Sequence, residues 1–422
     1  MNFLSNKIQN NKVLLSNIGS LSVVQLINYL IPLITLPYVV RVLGPENFGV
    51  ASFFIAFINY LTLITDYGFN FSGVRDVSIN RNNPEKLSQI FSSIFYTKVF
   101  LFLISVILLS IFVLNFQLLN KNISIIIILL LNVAGNLFYP QWFYQGLENT
   151  KALPLINLIP KSLGVISIFI FVKSSSDLYL YIFIISIVNF VLSVAAFLYS
   201  FSLTELKLLN FDFNEIVQQL KNSWKLFLSS ISMNFYTTTN VVILGLLTNE
   251  SAVGIYSAAD KIRLAMQGLF APISQSVFPK VNYLALQSVN SFINFNKKLL
   301  SVQSTFAFLI SLLVFIFSPQ LVELILGPQY QGSVNVLKIL CWLPFIISIS
   351  NVYGIQILLA LKEDKKFLQV VFSASLISVI SVLILTSLYN EIGTAITFLI
   401  TEIYVSSLMY IFYKRILKKN EV

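Results

Sequence analysis

Residues 43–53, LGPENFGVASF, lie over residues 248–258, TNESAVGIYSA, with Phe48-Gly49-Val50 on Val253-Gly254-Ile255 and Ser52 on Ser257. The offset is 205, close to half of the 422-residue chain, and the same offset lays Arg75 on Lys280. A repeat at half length marks a chain made of two similar halves. What the halves are follows from the residues on either side of each copy.

Both copies are flanked by long apolar runs. The chain is 57% hydrophobic and 10% charged with a mean hydropathy of +0.83, whereas soluble domains carry charge on about a quarter of their residues. Runs of roughly 20 residues, at 1.5 Å per residue, match a hydrocarbon layer about 30 Å thick. Such runs occur at about 16–40, 47–70, 90–114, 122–145, 153–172, 178–200, 225–247, 252–278, 299–318, 334–358, 367–388 and 392–413. They are continuous rather than alternating, which excludes outer-membrane strands. The expected fold is therefore all-α and integral to the membrane, with twelve transmembrane helices in two pseudo-symmetric six-helix lobes. Six spans separate the copies, so the halves share orientation and the pseudo-twofold axis follows the membrane normal. The polar stretch 201–224, with Glu205, Lys207, Asp212, Glu215 and Lys221, is the natural linker between a first lobe at 1–200 and a second at 225–422.

Lysine and arginine set the orientation, because short cytoplasmic loops carry an excess of them. With the N-terminus inside, the inner segments hold nineteen and the outer segments only Arg41, Lys121 and Lys173. Both termini are expected in the cytoplasm. The net charge of +10 is spread loop by loop along that face, which argues for topology and anionic lipid and against nucleic acid. Cys341, the one cysteine, can form no internal disulfide, and the absence of histidine removes the usual metal ligand, triad base and neutral-pH proton relay. The apolar stretch after Lys7 and Lys12 is too long for a signal peptide and is expected to stay as the first helix.

Polar residues inside the spans are where function is sought, since a charge at a helix centre costs about 2.5–3.5 kcal/mol. Gln25, Asn28, Pro32 and Thr35 step by three and four along the first span, and Asn59, Thr62, Asp66 and Asn70 along the second. The seventh carries Lys225, Ser229, Ser232, Tyr236 and Thr239; the eighth carries Ser257, Asp260, Arg263, Gln267 and Ser274. That spacing puts each set on one helix face. A wet cavity between the lobes accommodates these stripes, above all the charged set Asp66, Lys225, Asp260, Lys261 and Arg263. The other reading is structural: the groups hydrogen-bond neighbouring helices, with Asp260 and Arg263 a pair at i, i+3. Pro32 and Pro37 in the first span, and Pro272 and Pro279 in the eighth, are expected to kink or interrupt their helices. Gly44 and Pro45 suit the tight turn between the first two spans.

NYLIPLITLPYVVRVLGPENFGV at 28–50, DYGFNFSGVRDV at 66–77, YPQWFYQGLENT at 139–150, and YSAADKI with PISQSVFPKV at 256–281 resemble the Wzx-type polysaccharide flippases. Those belong to the MATE-like superfamily of multidrug, oligosaccharidyl-lipid and polysaccharide exporters. The resemblance covers essentially the full length. It implies a V-shaped pair of lobes with the first, second, seventh and eighth helices lining a central cavity, and a protein of the bacterial cytoplasmic membrane. It also implies that undecaprenyl-diphosphate-linked repeat units pass between leaflets, with a polysaccharide polymerase and a chain-length regulator as partners and no cofactor. A diphosphate needs cations, for which Arg41, Arg75, Lys225, Lys261, Arg263 and Lys280 are the candidates. Gln25, Asn28, Asn59 and Gln267 could bond the glycan, with Tyr29 or Tyr236 stacking on it. Proton coupling, without histidine, would have to use carboxylates such as Asp66, Asp260 or Glu402. Trp142, Phe143 and Tyr144 read equally as substrate contacts or as an aromatic belt at the membrane interface.

Two rivals stand beside this reading. A cation-coupled drug exporter of the same superfamily would favour acidic groups, whereas the candidate set is basic on balance. A membrane polymerase or ligase would need a large external catalytic loop, and the outer loops here are short. The chain is therefore not expected to be an enzyme.

Overall fold

The computed structural model describes the backbone of residues 2–287 and 289–420 and most of their side chains. The side chains of Lys7, Lys12, Tyr29, Tyr236, Pro272 and Pro279 lie outside the described residues. Every regular element described is a helix. Eight helical stretches are long and apolar enough to cross a membrane, and two of them, Val23–Asn80 and Asp364–Ile416, have 58 and 53 residues. At 1.5 Å per residue these would reach about 80 Å or more, so each holds two crossings. The first bends at Gly44, which takes φ 73° and ψ 170° ahead of Pro45, and the other bends at Asn390, with φ 49° and ψ −129°. Phe213–Thr237 with Thr239–Leu247, and Glu250–Gly268 with Ala271–Gln287, supply two more, in agreement with twelve. These last two are the spans whose polar stripes lower their hydropathy.

The prolines divide: the eighth span is interrupted just ahead of Pro272, as expected, whereas helical backbone angles continue through Pro32 and Pro37. The helix Asn2–Asp66 runs through Pro32 and Pro37, and its non-helical backbone angles occur at Gly44 instead. The eighth span breaks at Leu269–Phe270, ahead of Pro272, while Pro279 sits within the helix Ala271–Gln287. Membrane helices tolerate proline where side chains and neighbouring helices take up the freed backbone groups.

The chain forms two compact units, Met1–Ile31 with Phe54–Ile231, and Pro32–Phe53 with Ser232–Val422. In the first, Phe69, Val77, Phe91, Ile94, Trp142 and Phe143 form an aromatic-rich core. Trp142, Phe143 and Tyr144 are thus neither an interfacial belt nor substrate contacts: each is almost fully buried. Glycine makes room for them, since a Cβ on Gly73 would lie 2.8 Å from the Trp142 ring. The stretch after Leu203 is strapped onto the helix Pro84–Asn115. Lys207 N–H donates to Ser88 Oγ at 3.1 Å, Leu209 N–H donates to Ser92 Oγ at 2.9 Å, and Tyr96 Oη donates to the Leu209 carbonyl at 3.0 Å. Beyond it the helix Phe213–Thr237 docks on the same unit through a Ser72–Ser223 hydroxyl pair at 2.8 Å and a Tyr67–Phe227 ring stack at 4.3 Å.

In the second unit the two copies of the repeat meet. A Cβ on Gly49 would overlap the Glu250 carbonyl, and a Cβ on Gly254 would overlap the Pro45 carbonyl. The arrangement is reciprocal: 205 residues separate Gly49 from Gly254, and 205 separate Pro45 from Glu250. Two equivalent segments therefore pack on one another about a local twofold, with glycine at the crossing so that backbone meets backbone. At the last hairpin, Thr386 and Thr394 share a hydroxyl hydrogen bond at 2.8 Å. Large apolar side chains stand exposed along the spans, Leu114, Ile107, Leu163 and Ile380 among them, as a lipid-facing surface requires.

Candidate functional site

Among the described residues each unit holds a buried charge cluster. In the first, the second span ends at Asp66 because Tyr67 and Gly68 take left-handed backbone angles, φ 42° and 80°. Asp66 Oδ1 accepts from Lys98 Nζ at 2.9 Å, and Asp66 Oδ2 accepts from Asn70 at 3.3 Å. Lys98 Nζ also donates to the Asn136 carbonyl at 3.0 Å, and Asn136 Nδ2 reaches Thr65 Oγ1 at 3.3 Å. The second, third and fourth spans are thus stitched by one polar chain. The Lys98 side chain is 2% exposed and that of Asp66 24%. Lys98 was missed as a candidate, although it is the one charged residue in the third apolar run. Its isolation there was the available signal, because a lysine in lipid must find a partner.

Removing Lys98 therefore strands a carboxylate. Lys98→Ala should lower stability by about 3–5 kcal/mol, the usual cost of breaking a buried pair. A Lys98→Met/Asp66→Leu double variant should recover much of that loss in thermal unfolding of the solubilised protein.

The second cluster lies on the eighth and last spans. Arg263 Nε donates to Asp260 Oδ1 and its Nη1 donates to Gln267 Oε1, both at 2.5 Å. The guanidinium also stands over the Phe398 ring, 5.0 Å from the centroid, and acts electrostatically with Glu402. The spacing i−3, i+4 brings the three polar residues onto one helix face, while Phe398 and Glu402 approach from the last helix. Arg263 and Glu402 are each 5% exposed. Asp260, Arg263, Gln267 and Glu402 are thus brought together as candidates, with Phe398 the member that sequence reading overlooked. An aromatic one turn before a buried acid is too common in apolar spans to stand out.

Of the remaining candidates, Lys261 adjoins the second cluster and acts electrostatically with Asp260 and Arg263, and the others are placed apart. Arg41 Nη2 donates to the Leu324 carbonyl and, at 3.4 Å, to that of Glu323, closing the end of the short helix Val322–Leu326. Arg75 pairs with Asp76 at 3.1 Å. Lys280 stands over the Phe295 ring at 4.8 Å. Lys225, Lys261 and Asn59 are exposed. Asn28 accepts from Lys161, and the buried Gln25 Oε1 has no hydrogen-bond partner among the described residues. Among the described residues no group of three acidic, histidine or cysteine side chains is placed to hold a metal ion.

Residues 14–282 match the model of a family described as polysaccharide biosynthesis protein. Over 399 residues the chain is 36% identical to a protein named as an O-antigen transporter in Escherichia coli (strain K12), covering 94% of this chain and 96% of that one. A protein of the same name from Shigella dysenteriae is 30% identical over 391 residues, 92% of this chain and 96% of that one. Among solved structures, an inward-facing multidrug resistance MATE family transporter of the MOP superfamily superposes with a TM-score of 0.76 at 15% identity, over 94% of this chain and 98% of that one. The lipid II flippase MurJ, in an inward closed conformation, gives 0.67 at 16% identity, over 93% and 87%. At these identities the structural likeness establishes the fold.

Proposed function

Because the chain belongs to the polysaccharide biosynthesis protein family, we propose that it moves undecaprenyl-diphosphate-linked oligosaccharide from the inner to the outer leaflet of a bacterial cytoplasmic membrane. Its full-length relation to a protein named as an O-antigen transporter carries this reading. Two six-helix lobes, 1–200 and 225–422 joined by 201–224, would alternate access, with both termini in the cytoplasm. No bond is made or broken in such a movement. A polymerase and a chain-length regulator would receive the product.

The chemistry of the described residues fits this cargo. In the second unit exposed Lys261 and Lys280 would attract the diphosphate, which could then compete with Asp260 for the Arg263 guanidinium, a geometry suited to two-point phosphate binding; in the first unit Arg75 and Lys225 are the exposed cations. Gln25, with an acceptor lacking a partner, and Asn59 would bond sugar hydroxyls. If a cation gradient drives the cycle, Asp66, Asp260 and Glu402 are the groups that would take the ion. A drug-export role rests on fold likeness alone, and fold does not fix function.

The test is a vesicle assay with the purified full chain and a labelled undecaprenyl-diphosphate oligosaccharide. The protein should speed appearance of the glycan on the opposite leaflet, read by lectin accessibility, relative to empty vesicles. Unchanged glycan movement together with accumulation of a cationic dye would transfer the assignment to drug export.

A further inference from the structure

Two adjoining cavities lie within the second unit, and neither is lined by a member of the charge clusters. One, of about 270 Å³, is lined by Asn296, Lys297, Tyr353, Tyr410, Tyr413 and Lys414, among others. The other, of about 420 Å³, shares Tyr353 and Tyr410 and continues along the same helices past Ile346, Ile349 and Ile403. The sequence numbers give the direction. From 353 to 346, and from 410 to 403, both helices run from the lysine-bearing end toward the middle of the membrane, so a polar pocket opens onto an apolar groove.

The polar pocket is chemically specific. The three tyrosine rings are clustered, with Tyr353 5.2 Å from Tyr410 and 5.1 Å from Tyr413. Lys414 lies over the Tyr410 ring at 4.9 Å, and Lys297 is exposed at the rim. Asn296 is only 2% exposed, yet among the described residues its Oδ1 has no hydrogen-bond partner, while its Nδ2 donates to the Phe292 carbonyl at 3.0 Å. A buried acceptor left unmatched is costly and invites a donor. Two cations beside it ask for an anion, and the apolar groove below asks for a chain.

We propose that this pocket binds an anionic phospholipid with a hydroxylated headgroup, such as phosphatidylglycerol. Its phosphate sits between Lys297 and Lys414, a headgroup hydroxyl donates to Asn296 Oδ1, and an acyl chain follows Ile346, Ile349 and Ile403. Only the leaflet, the cytoplasmic one, rests on the topology proposed above. The site lies outside the clusters assigned to cargo, so it would tie the last spans to the surrounding membrane's composition.

The experiment is native mass spectrometry of the full chain released from nanodiscs of phosphatidylglycerol and phosphatidylcholine in equal amounts. Wild type should retain phosphatidylglycerol preferentially. Lys297→Gln/Lys414→Gln should lose that preference by roughly tenfold or more, since both charge-assisted contacts are removed. Asn296→Ala should weaken it without affecting phosphatidylcholine, and the control pair Lys221→Gln/Lys365→Gln, outside the pocket, should leave it intact. Equal retention of both lipids by wild type would overturn the proposal. So would an equal loss in the control pair, which would mean diffuse surface attraction, or displacement by undecaprenyl phosphate, which would give the pocket to the cargo. Because the assay measures retention and not transport, its failure is separate from failure of the flippase reading.

Discussion

Arg263→Ala should cut surface polysaccharide by roughly a hundredfold when it replaces the wild-type protein in a deletion strain, the rate equivalent of about 3 kcal/mol. Arg263 is the centre of its cluster: it bonds Asp260 and Gln267, covers Phe398 and offsets Glu402. Without it the two acids lose the guanidinium that faces both, and Lys261 acts on Asp260 alone among them. Arg263→Lys keeps the charge but loses the planar fork, and should retain a minor part of the activity. Asp260→Asn separates structure from transport. If Arg263 serves only to hold Asp260, this variant should export as poorly as Arg263→Ala; if Arg263 binds diphosphate, it should export far better. Size-exclusion profiles of the solubilised variants show whether any loss is one of folding.

Gly49→Ala and Gly254→Ala should each abolish recovery of monodisperse protein. Overpacking a core usually costs about 1–3 kcal/mol because side chains can shift. Here the added methyl would meet a backbone carbonyl, that of Glu250 in one case and of Pro45 in the other, so whole helices must separate. Since both changes open one contact, the double variant should be scarcely worse than either single one. Gly19→Ala, where an added Cβ meets nothing within 4 Å, is the matched control and should be neutral. Normal yield of both single variants would show that the two repeat segments are not held together at this point.

The parts of this molecule legible in the sequence are those governed by spacing along one chain. The spans follow from run length, and the repeat marked the segments that turned out to touch. Asp260, Arg263 and Gln267 could be grouped because one helix turn joins them. Asp66 showed the limit of that approach. Its stripe partner Asn70 was visible, but the stronger bond comes from Lys98 on another helix, and no periodicity connects residues 32 apart. The aromatic run Trp142-Phe143-Tyr144 was misread for a related reason: interfacial and core aromatics have the same composition, and the small residue that lets the Trp142 ring in, Gly73, lies on another helix. Proline was legible only in part: a helix break precedes Pro272, whereas the helix runs on through Pro32 and Pro37, because the effect of proline on a packed membrane helix depends on neighbours. The strap from Lys207 to Leu209 was legible only as a polar linker, because the serines that hold it lie more than 100 residues earlier.

A contact in which one segment meets its own equivalent is what two identical subunits make across a dyad. In such a dimer every substitution occurs twice, on both sides at once. Fusing the copies into one polypeptide removes that constraint while keeping the Gly49–Gly254 crossing. Position 58, which the offset of 205 lays on Arg263, is Ile58, and position 303, laid on Lys98, is Gln303. One half can therefore carry a lysine–aspartate lock and the other an arginine-centred cluster, a division of labour closed to a pair of identical chains.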